Sequence, residues 1–156
     1  MKIEEFNENQ AIELSSLIKR NLIEINSQDY PKEVINYLIE CYSAENLRIN
    51  SKTQYIIVAI KNEEIIGTGG LANFGNKEEP NYYGVAMFIK PEVHKNGIGK
   101  IILHLLEGKA KTLDAKKITV RAAKGSEGFY KKLGYQYKNQ KAVSDNTDSK
   151  EMEKEL

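Results

Sequence analysis

A single cysteine, Cys41, stands in the whole chain. One thiol makes no intrachain disulfide and no cysteine-rich zinc site, which fits a reducing compartment. Only 3 prolines occur, and no repeat or low-complexity tract interrupts the sequence, so fibrous and repeat architectures drop out. No apolar run approaches the about 20 residues of a membrane span. The opening MKIEEFNENQ is acidic and polar, without the basic-then-apolar layout of a signal peptide. The expectation is a cytoplasmic protein with no membrane partner. A net charge of only +1 argues against a dedicated nucleic-acid binder, so no nucleic acid is expected either.

What is present fits one soluble domain spanning residues 1–156. The chain is long enough to bury a proper core, and its 40% hydrophobic and 29% charged residues are an ordinary globular mixture. Charge is unevenly spread. Residues 1–64 hold 7 Lys and Arg against 11 Asp and Glu, whereas residues 65–156 hold 16 against 11. Two readings stay open: solvated surfaces throughout, or a basic part for an anionic cofactor and an acidic part for a cationic substrate.

Periodicity supplies the elements. MKIEEF reads as a first strand. Asn7 or Asn9 caps a helix to about Asn21 with Ile12, Leu14, Leu17, Ile18 and Leu22 as its apolar stripe. Pro31 opens a second helix in which Val34, Ile35, Leu38, Ile39 and Tyr42 recur at helical spacing, running through CYSAENL. The period then shortens. YIIVAI (55–60), the polar turn KNEE and IIGTGGLANF read as an antiparallel hairpin, and YYGVAMFI (82–89) is a third strand ending before Pro91. A helix to about Leu113 follows, with Ile98, Ile101, Ile102, Leu105 and Leu106 as its stripe. KITVRA (117–122) is a strand, GSEGFYKKL (125–133) a short helix stopped by Gly134, and YQYKNQKAV another strand. The tail KEMEKEL is readable as helix or as a partner for that strand. The order predicts a mixed α/β fold in which the helical crossover makes YYGVAMFI and KITVRA parallel while earlier neighbours are antiparallel.

The stretch KPEVHKNGIGKIILHLLE places Gly97 and Gly99 at the mouth of a helix, although glycine costs about 1 kcal/mol relative to alanine there. Strand, glycine turn and helix is a phosphate-binding arrangement, because the first amides of a helix point outward and its dipole favours an anion. Two such motifs fail on identifiable residues. A Walker loop needs glycine where His94 stands and a hydroxyl where Ile101 stands, and a Rossmann fingerprint needs a third glycine where Ile102 stands.

The segment FIKPEVHKNGIGKIIL resembles the coenzyme A signature of the GNAT superfamily of acyl-CoA-dependent N-acetyltransferases, Q/R-x-x-G-x-G/A after a strand ending in V-x-P. GFYKKLGY (128–135) resembles the F-Y-x-x-x-G-F element of that superfamily, at the expected separation, and the element order matches from first strand to tail. The resemblance implies the GNAT fold: a central, mostly antiparallel sheet with a parallel, splayed central strand pair flanked by helices. It also implies acetyl-CoA as co-substrate and no metal. The pyrophosphate would lie on the loop of His94, Lys95, Asn96, Gly97, Ile98, Gly99 and Lys100, whose amides cradle it where glycine leaves room. For Lys95 and Lys100, added charge and plain surface solvation are both open. The backbone of Met87, Phe88 and Ile89 would face the thioester and the pantetheine arm.

In the family a neutral amine attacks the thioester directly, a backbone amide near the strand bulge stabilises the oxyanion, and an acid protonates the leaving thiolate. Tyr130 matches the tyrosine that serves as this acid in many members, and it also falls among expected CoA contacts. Departures are visible. His94 stands at the Q/R position, Ala123 and Ser126 stand where many members carry asparagine and alanine, and Tyr83 stands where many carry a basic glutamate. The base is therefore open among Glu64, Glu79 and Glu127, each also readable as a surface charge. His104 reads as surface and Cys41 as packing.

The sequence thus reads as an N-acetyltransferase acting on a primary amine of a small molecule or peptide, as monomer or homodimer. The acceptor is expected between the first two helices and the loop 73–81, and the acidic first part favours a cationic amine. Two rivals remain: an acyl-CoA-binding regulatory domain without turnover, and a partner-binding module that takes no CoA.

Overall fold

A β-branched run at 55–60 and its neighbours form strands because branched side chains pack well on a pleated surface. In a computed structural model that describes residues 1–142 and 149–156, seven strands result. They are β1 (Lys2–Glu5), β2 (Tyr55–Lys61), β3 (Glu64–Asn73), β4 (Tyr82–Ile89), β5 (Lys117–Ala122), β6 (Gln136–Ala142) and β7 (Lys150–Glu155). Their order in the sheet is β1-β2-β3-β4-β5-β7-β6. Strands β1 and β2 pair antiparallel, β4 and β5 parallel, and β7 lies antiparallel between β5 and β6. This is the mixed α/β sheet with a parallel pair that the element order predicted.

The tail is therefore a strand, and an interior one. Its polar residues alternate, so that Met152 is buried on one face while Glu151, Glu153 and Glu155 lie on the other. The expected strand YQYKNQKAV begins at Gln136, and its last residue, Val143, lies outside the described residues.

Among the described residues five α-helices accompany the sheet: α1 (Ala11–Glu24), α2 (Lys32–Cys41), α3 (Ala44–Asn50), α4 (Ile98–Thr112) and α5 (Glu127–Lys132). Asn7 is the cap ahead of α1. Its side chain accepts the Asn9 N–H, and Gln10 Oε1 accepts the Asn7 N–H in return. The second helix breaks where the sequence reading continued it. Tyr42 leaves helical geometry, and Ser43 caps a new helix by accepting the Asn46 N–H at 3.2 Å. Two apolar stripes also shift. Ile12 is 68% exposed, and α1 buries Ala11, Leu14, Leu17, Ile18, Asn21 and Leu22 instead. In α4 the buried line is Ile98, Ile102, Leu103, Leu106 and Ala110, with Ile101 at 42% exposure.

Internal contacts gather the chain into two compact units, residues 1–70 with 86–102, and residues 71–85 with 103–156. In the first, α1 packs beside α2 and α3. The β2–β3 turn places Asn62 and Glu63 at φ of 52° and 63°, the paired left-handed residues of a tight hairpin. Thr68, buried in β3, donates its hydroxyl to the Ile57 carbonyl at 2.9 Å. The core of the second unit includes Leu103, Leu106, Ile118, Val120 and Met152. In both parts of α4 neighbouring positions have opposite burial, which sets a direct test. Ile102→Ala should cost about 2–5 kcal/mol in urea unfolding, whereas Ile101→Ala should stay within about 0.5 kcal/mol.

Candidate functional site

Strand β4 carries one local departure from regularity. Its paired register with β5 covers Tyr83↔Thr119 and Gly84↔Val120, and Ala86 then takes a φ of 54°. A non-glycine residue with left-handed φ inside a strand is a strained, bulge-like position. Beyond it Met87, Phe88 and Ile89 are half-buried, and Phe88 meets the Tyr42 ring edge-on at 5.3 Å. The strand ends where the Lys90 N–H donates to the Ile66 carbonyl at 2.8 Å and the Lys90 ammonium pairs with Glu64.

From there the chain makes one tight turn at 91–93 and enters an exposed loop. The His94 ring closes back on the strand, its Nε2 2.7 Å from the Ile89 carbonyl oxygen. Lys95 and Gly97 both adopt left-handed φ, 68° and 81°. Glycine suits this backbone at Gly97, and apart from its own chain neighbours nothing lies within 4 Å of where a Cβ would stand. The first helical hydrogen bond of α4 runs from the Ile101 N–H to the Gly97 carbonyl at 3.1 Å. The amides of Ile98, Gly99 and Lys100 precede it and are the orphan donors of the first turn. No acidic residue sits in that turn. The nearby carboxylate of Glu92 is held by the Arg20 guanidinium, which also binds Glu24 at 2.6 Å. The helix start therefore keeps its positive end free of carboxylates from its own first turn.

All the residues that the sequence reading assigned to the cofactor on β4 and the loop, Met87 to Lys100, gather in the first unit. Tyr130 belongs to the second. It is 7% exposed on α5, its ring edge-on to Phe129 at 5.1 Å and to Tyr135 at 5.5 Å. Burial pushes its phenol up to about 12. Tyr135 donates its hydroxyl to buried Glu107 Oε2 at 2.7 Å, and Lys154 Nζ lies 3.2 Å from Glu107 Oε1. Burial first, then the Glu107 hydrogen bond and charge, drive the Tyr135 phenol upward as well.

The three candidate bases are otherwise engaged or exposed. Glu64 pairs with Lys90, Glu127 accepts the Tyr137 hydroxyl, and Glu79 is exposed in the loop 73–81. Two carboxylates escaped the sequence reading. Glu107 shares the helical line of Leu103 and Ala110, so its burial was legible from the period of α4. Glu151 is in the tail whose secondary structure was open. It accepts the Tyr83 hydroxyl, with Arg121 Nε 3.8 Å from its Oε2. Among the described residues no group of three His, Cys, Asp or Glu side chains is placed to hold a metal ion, and no helix is long and apolar enough to cross a membrane.

Tyr130 gives this region a pH signature. A phenol raised from about 10 in the unfolded chain to about 12 in the fold holds its proton more tightly when native. The stability it supports is complete below pH of about 10 and is lost as pH rises through about 12. Wild type should lose on the order of 2–3 kcal/mol more than Tyr130→Phe between pH 9 and 12, read by urea unfolding at each pH.

Solved structures share this architecture. The PaiA N-acetyltransferase of Thermoplasma acidophilum, in complex with coenzyme A, superposes with a TM-score of 0.82 at 20% identity, covering 100% of both chains. A predicted acetyltransferase from Clostridium acetobutylicum with acetyl-CoA gives 0.71 at 23% identity, over 92% of this chain and 95% of that one. An aminoglycoside 6′-N-acetyltransferase complexed with coenzyme A gives 0.71 at 17%, over 99% and 97%. Such identities speak for the fold alone. No curated protein sequence matches the chain. The profile of the acetyltransferase (GNAT) domain matches residues 22–156, nearly the whole length. The chain belongs to the GNAT acetyltransferase family.

Proposed function

We propose that the protein is an N-acetyltransferase, acting as a single domain that moves an acetyl group from acetyl-CoA to a primary amine of a small molecule or peptide within a ternary complex. The observation that carries the reading is the start of α4. Gly97 turns the chain with a left-handed φ, and the amides of Ile98, Gly99 and Lys100 are left without helical acceptors. Those amides suit a pyrophosphate, and Lys95 of the exposed loop and Lys100 of the first turn of α4, also exposed, add positive charge. Family membership supplies the co-substrate, and relatives in the same fold carry coenzyme A or acetyl-CoA.

On this reading His94 fixes the loop to the end of β4 through the Ile89 carbonyl. The left-handed Ala86 turns the backbone of the following residues to face the thioester, where an amide supports the developing oxyanion. Tyr130 serves the departing sulfur. At about 12 its phenol is a weaker acid than a thiol of about 8.5. It therefore acts first as a hydrogen-bond donor to the thiolate. A proton shed by the nitrogen as the amide forms balances the one that sulfur finally takes up.

Calorimetry with acetyl-CoA checks the cofactor half of the proposal. Wild type should bind, and Gly97→Glu, which puts a Cβ on a left-handed residue and a negative charge beside the amides, should weaken binding more than tenfold. Absence of binding by wild type would end the reading. Turnover across a panel of amines, polyamines and peptides checks the rest. Tyr130→Phe should slow it about 10²-fold while leaving acetyl-CoA affinity within about threefold, and equal losses in both would remove the tyrosine from the sulfur. Acetylation of cationic amines is expected; a panel in which only anionic or neutral acceptors react would discard that preference.

A further inference from the structure

Asparagine is among the thermolabile residues, because the backbone that follows it can attack its side chain. The amide nitrogen of the next residue bonds to the side-chain carbonyl carbon and closes a cyclic imide. The reaction is easiest where the next residue has no Cβ, where its N–H is not hydrogen-bonded and where the carboxamide is unheld. The sequence contains one Asn-Gly pair, Asn96 and Gly97.

This pair meets each condition. Asn96 is exposed in the loop that leads into α4. Among the described residues neither its carboxamide nor the Gly97 N–H makes a hydrogen bond. Other asparagines are tied down. Asn73 Oδ1 accepts the N–H groups of Gly75 and Asn81 at 2.9 and 2.8 Å, and Asn76 Oδ1 accepts that of Glu79 at 2.7 Å. The Asn46 carboxamide donates to the Glu40 carbonyl at 2.9 Å, and buried Asn21 donates to the Leu17 carbonyl at 3.2 Å. Electrostatics adds to the contrast. The attack develops negative charge first on the Gly97 nitrogen and then on the carboxamide oxygen. That nitrogen lies just ahead of the positive end of α4, whose first turn holds no acidic residue, between the exposed Lys95 and Lys100. The field that suits a pyrophosphate therefore also favours the anions of this reaction.

We propose that Asn96 is a site of spontaneous deamidation that disables the cofactor loop, and that bound acetyl-CoA protects it. The consequence for the cofactor rests on the acetyltransferase reading above, whereas the chemistry at Asn96 does not. Hydroxide takes the Gly97 amide proton, and the nitrogen pair forms a bond to Asn96 Cγ. The bond from Cγ to the side-chain nitrogen breaks with its pair on that nitrogen, which takes a proton from water and leaves as ammonia. Water then adds to one imide carbonyl and the ring opens there. Opening at Cγ gives aspartate, and opening at the Asn96 main-chain carbonyl gives isoaspartate. One water is consumed and one ammonia released, with no oxidation or reduction.

Either product sets a carboxylate beside the amides of Ile98, Gly99 and Lys100, where it repels a pyrophosphate. Isoaspartate also lengthens the main chain ahead of the left-handed turn at Gly97. A pyrophosphate already on those amides brings its own negative charge, which disfavours the anions of the attack and slows it.

The test incubates the full chain at neutral and at mildly alkaline pH, with and without acetyl-CoA. It follows ammonia release, the mass of the tryptic peptide 96–100 and acetyl-CoA affinity by calorimetry. Wild type should release ammonia, faster at the higher pH, with that peptide the first to turn from amide to acid. Acetyl-CoA should slow the change about threefold or more, and aged wild type should bind acetyl-CoA about fivefold more weakly than fresh. Fresh Asn96→Asp should show a similar loss against fresh wild type. Asn96→Gln, whose longer side chain closes the ring less readily, should keep its own starting affinity through the same incubation, which separates the reaction from general ageing of the fold. An unchanged 96–100 peptide, or earlier change at another asparagine, overturns the assignment. Deamidation at Asn96 with affinity unaltered overturns its effect on the loop. Failure of fresh wild type to bind acetyl-CoA overturns the acetyltransferase reading and that effect together, while the peptide mass still decides the chemistry at Asn96.

Discussion

The seating of the first turn of α4 is the constraint on which the cofactor side depends. An ideal Cβ on Gly67 would stand 2.9 Å from Ile89 Cδ1, 3.3 Å from Ile102 Cδ1 and 3.4 Å from Ile98 Cγ2. The missing side chain on β3 leaves room for the tips of three isoleucines, one from the end of β4 and two from the buried line of α4, to pack against the sheet. With that turn fixed by packing, the amides ahead of Ile101 are held in place before any ligand arrives. Preorganised donors of this kind spend no ligand binding energy on ordering themselves. Arg20 adds to the effect by occupying Glu92, the carboxylate nearest the loop in sequence.

Much of this was legible in the residues. The hairpin of β2 and β3, the parallel pair β4 and β5, and the α4 crossover all follow from changes of hydrophobic period, and Gly97 announced a special backbone. The α4 stripe misled in part, because Ile101 and Leu105 satisfy helical spacing as well as Leu103 does, and spacing alone does not say which flank meets the sheet. Ser43 broke the second helix through one side-chain hydrogen bond, a local event that apolar periodicity does not register. Ile12 is apolar but exposed for the same reason as Ile101: a helix face is chosen by what packs on it.

The site was less legible than the fold. Tyr83 and Glu151 are distant in the sequence, and their meeting depends on KEMEKE being an interior strand, which its composition resists. Lysines and glutamates disfavour strands, yet β5 on one side and β6 on the other provide both ladders, and Met152 alone supplies a fully buried side chain in the middle. Tertiary pairing outweighs propensity here. His94 shows the complementary case. As a letter it departs from the family motif, whereas in space its ring ties the loop to β4, a structural duty that the motif does not specify.

The interior place of β7 bears on how the chain reaches this state. Thr119 finds its antiparallel partner at Glu153, and Lys117 at Glu155, so one ladder of β5 is closed by residues that lie beyond α5 and β6 in the sequence. Contacts between distant segments must meet their loop-closure entropy before they are rewarded. Until then β5 presents a row of open backbone groups, with Ile118 and Val120 between them, a template on which another chain can pair. The many lysines and glutamates of β7 become intelligible in that light. With two lysines and three glutamates around Met152, β7 offers little apolar surface on which another chain could pair.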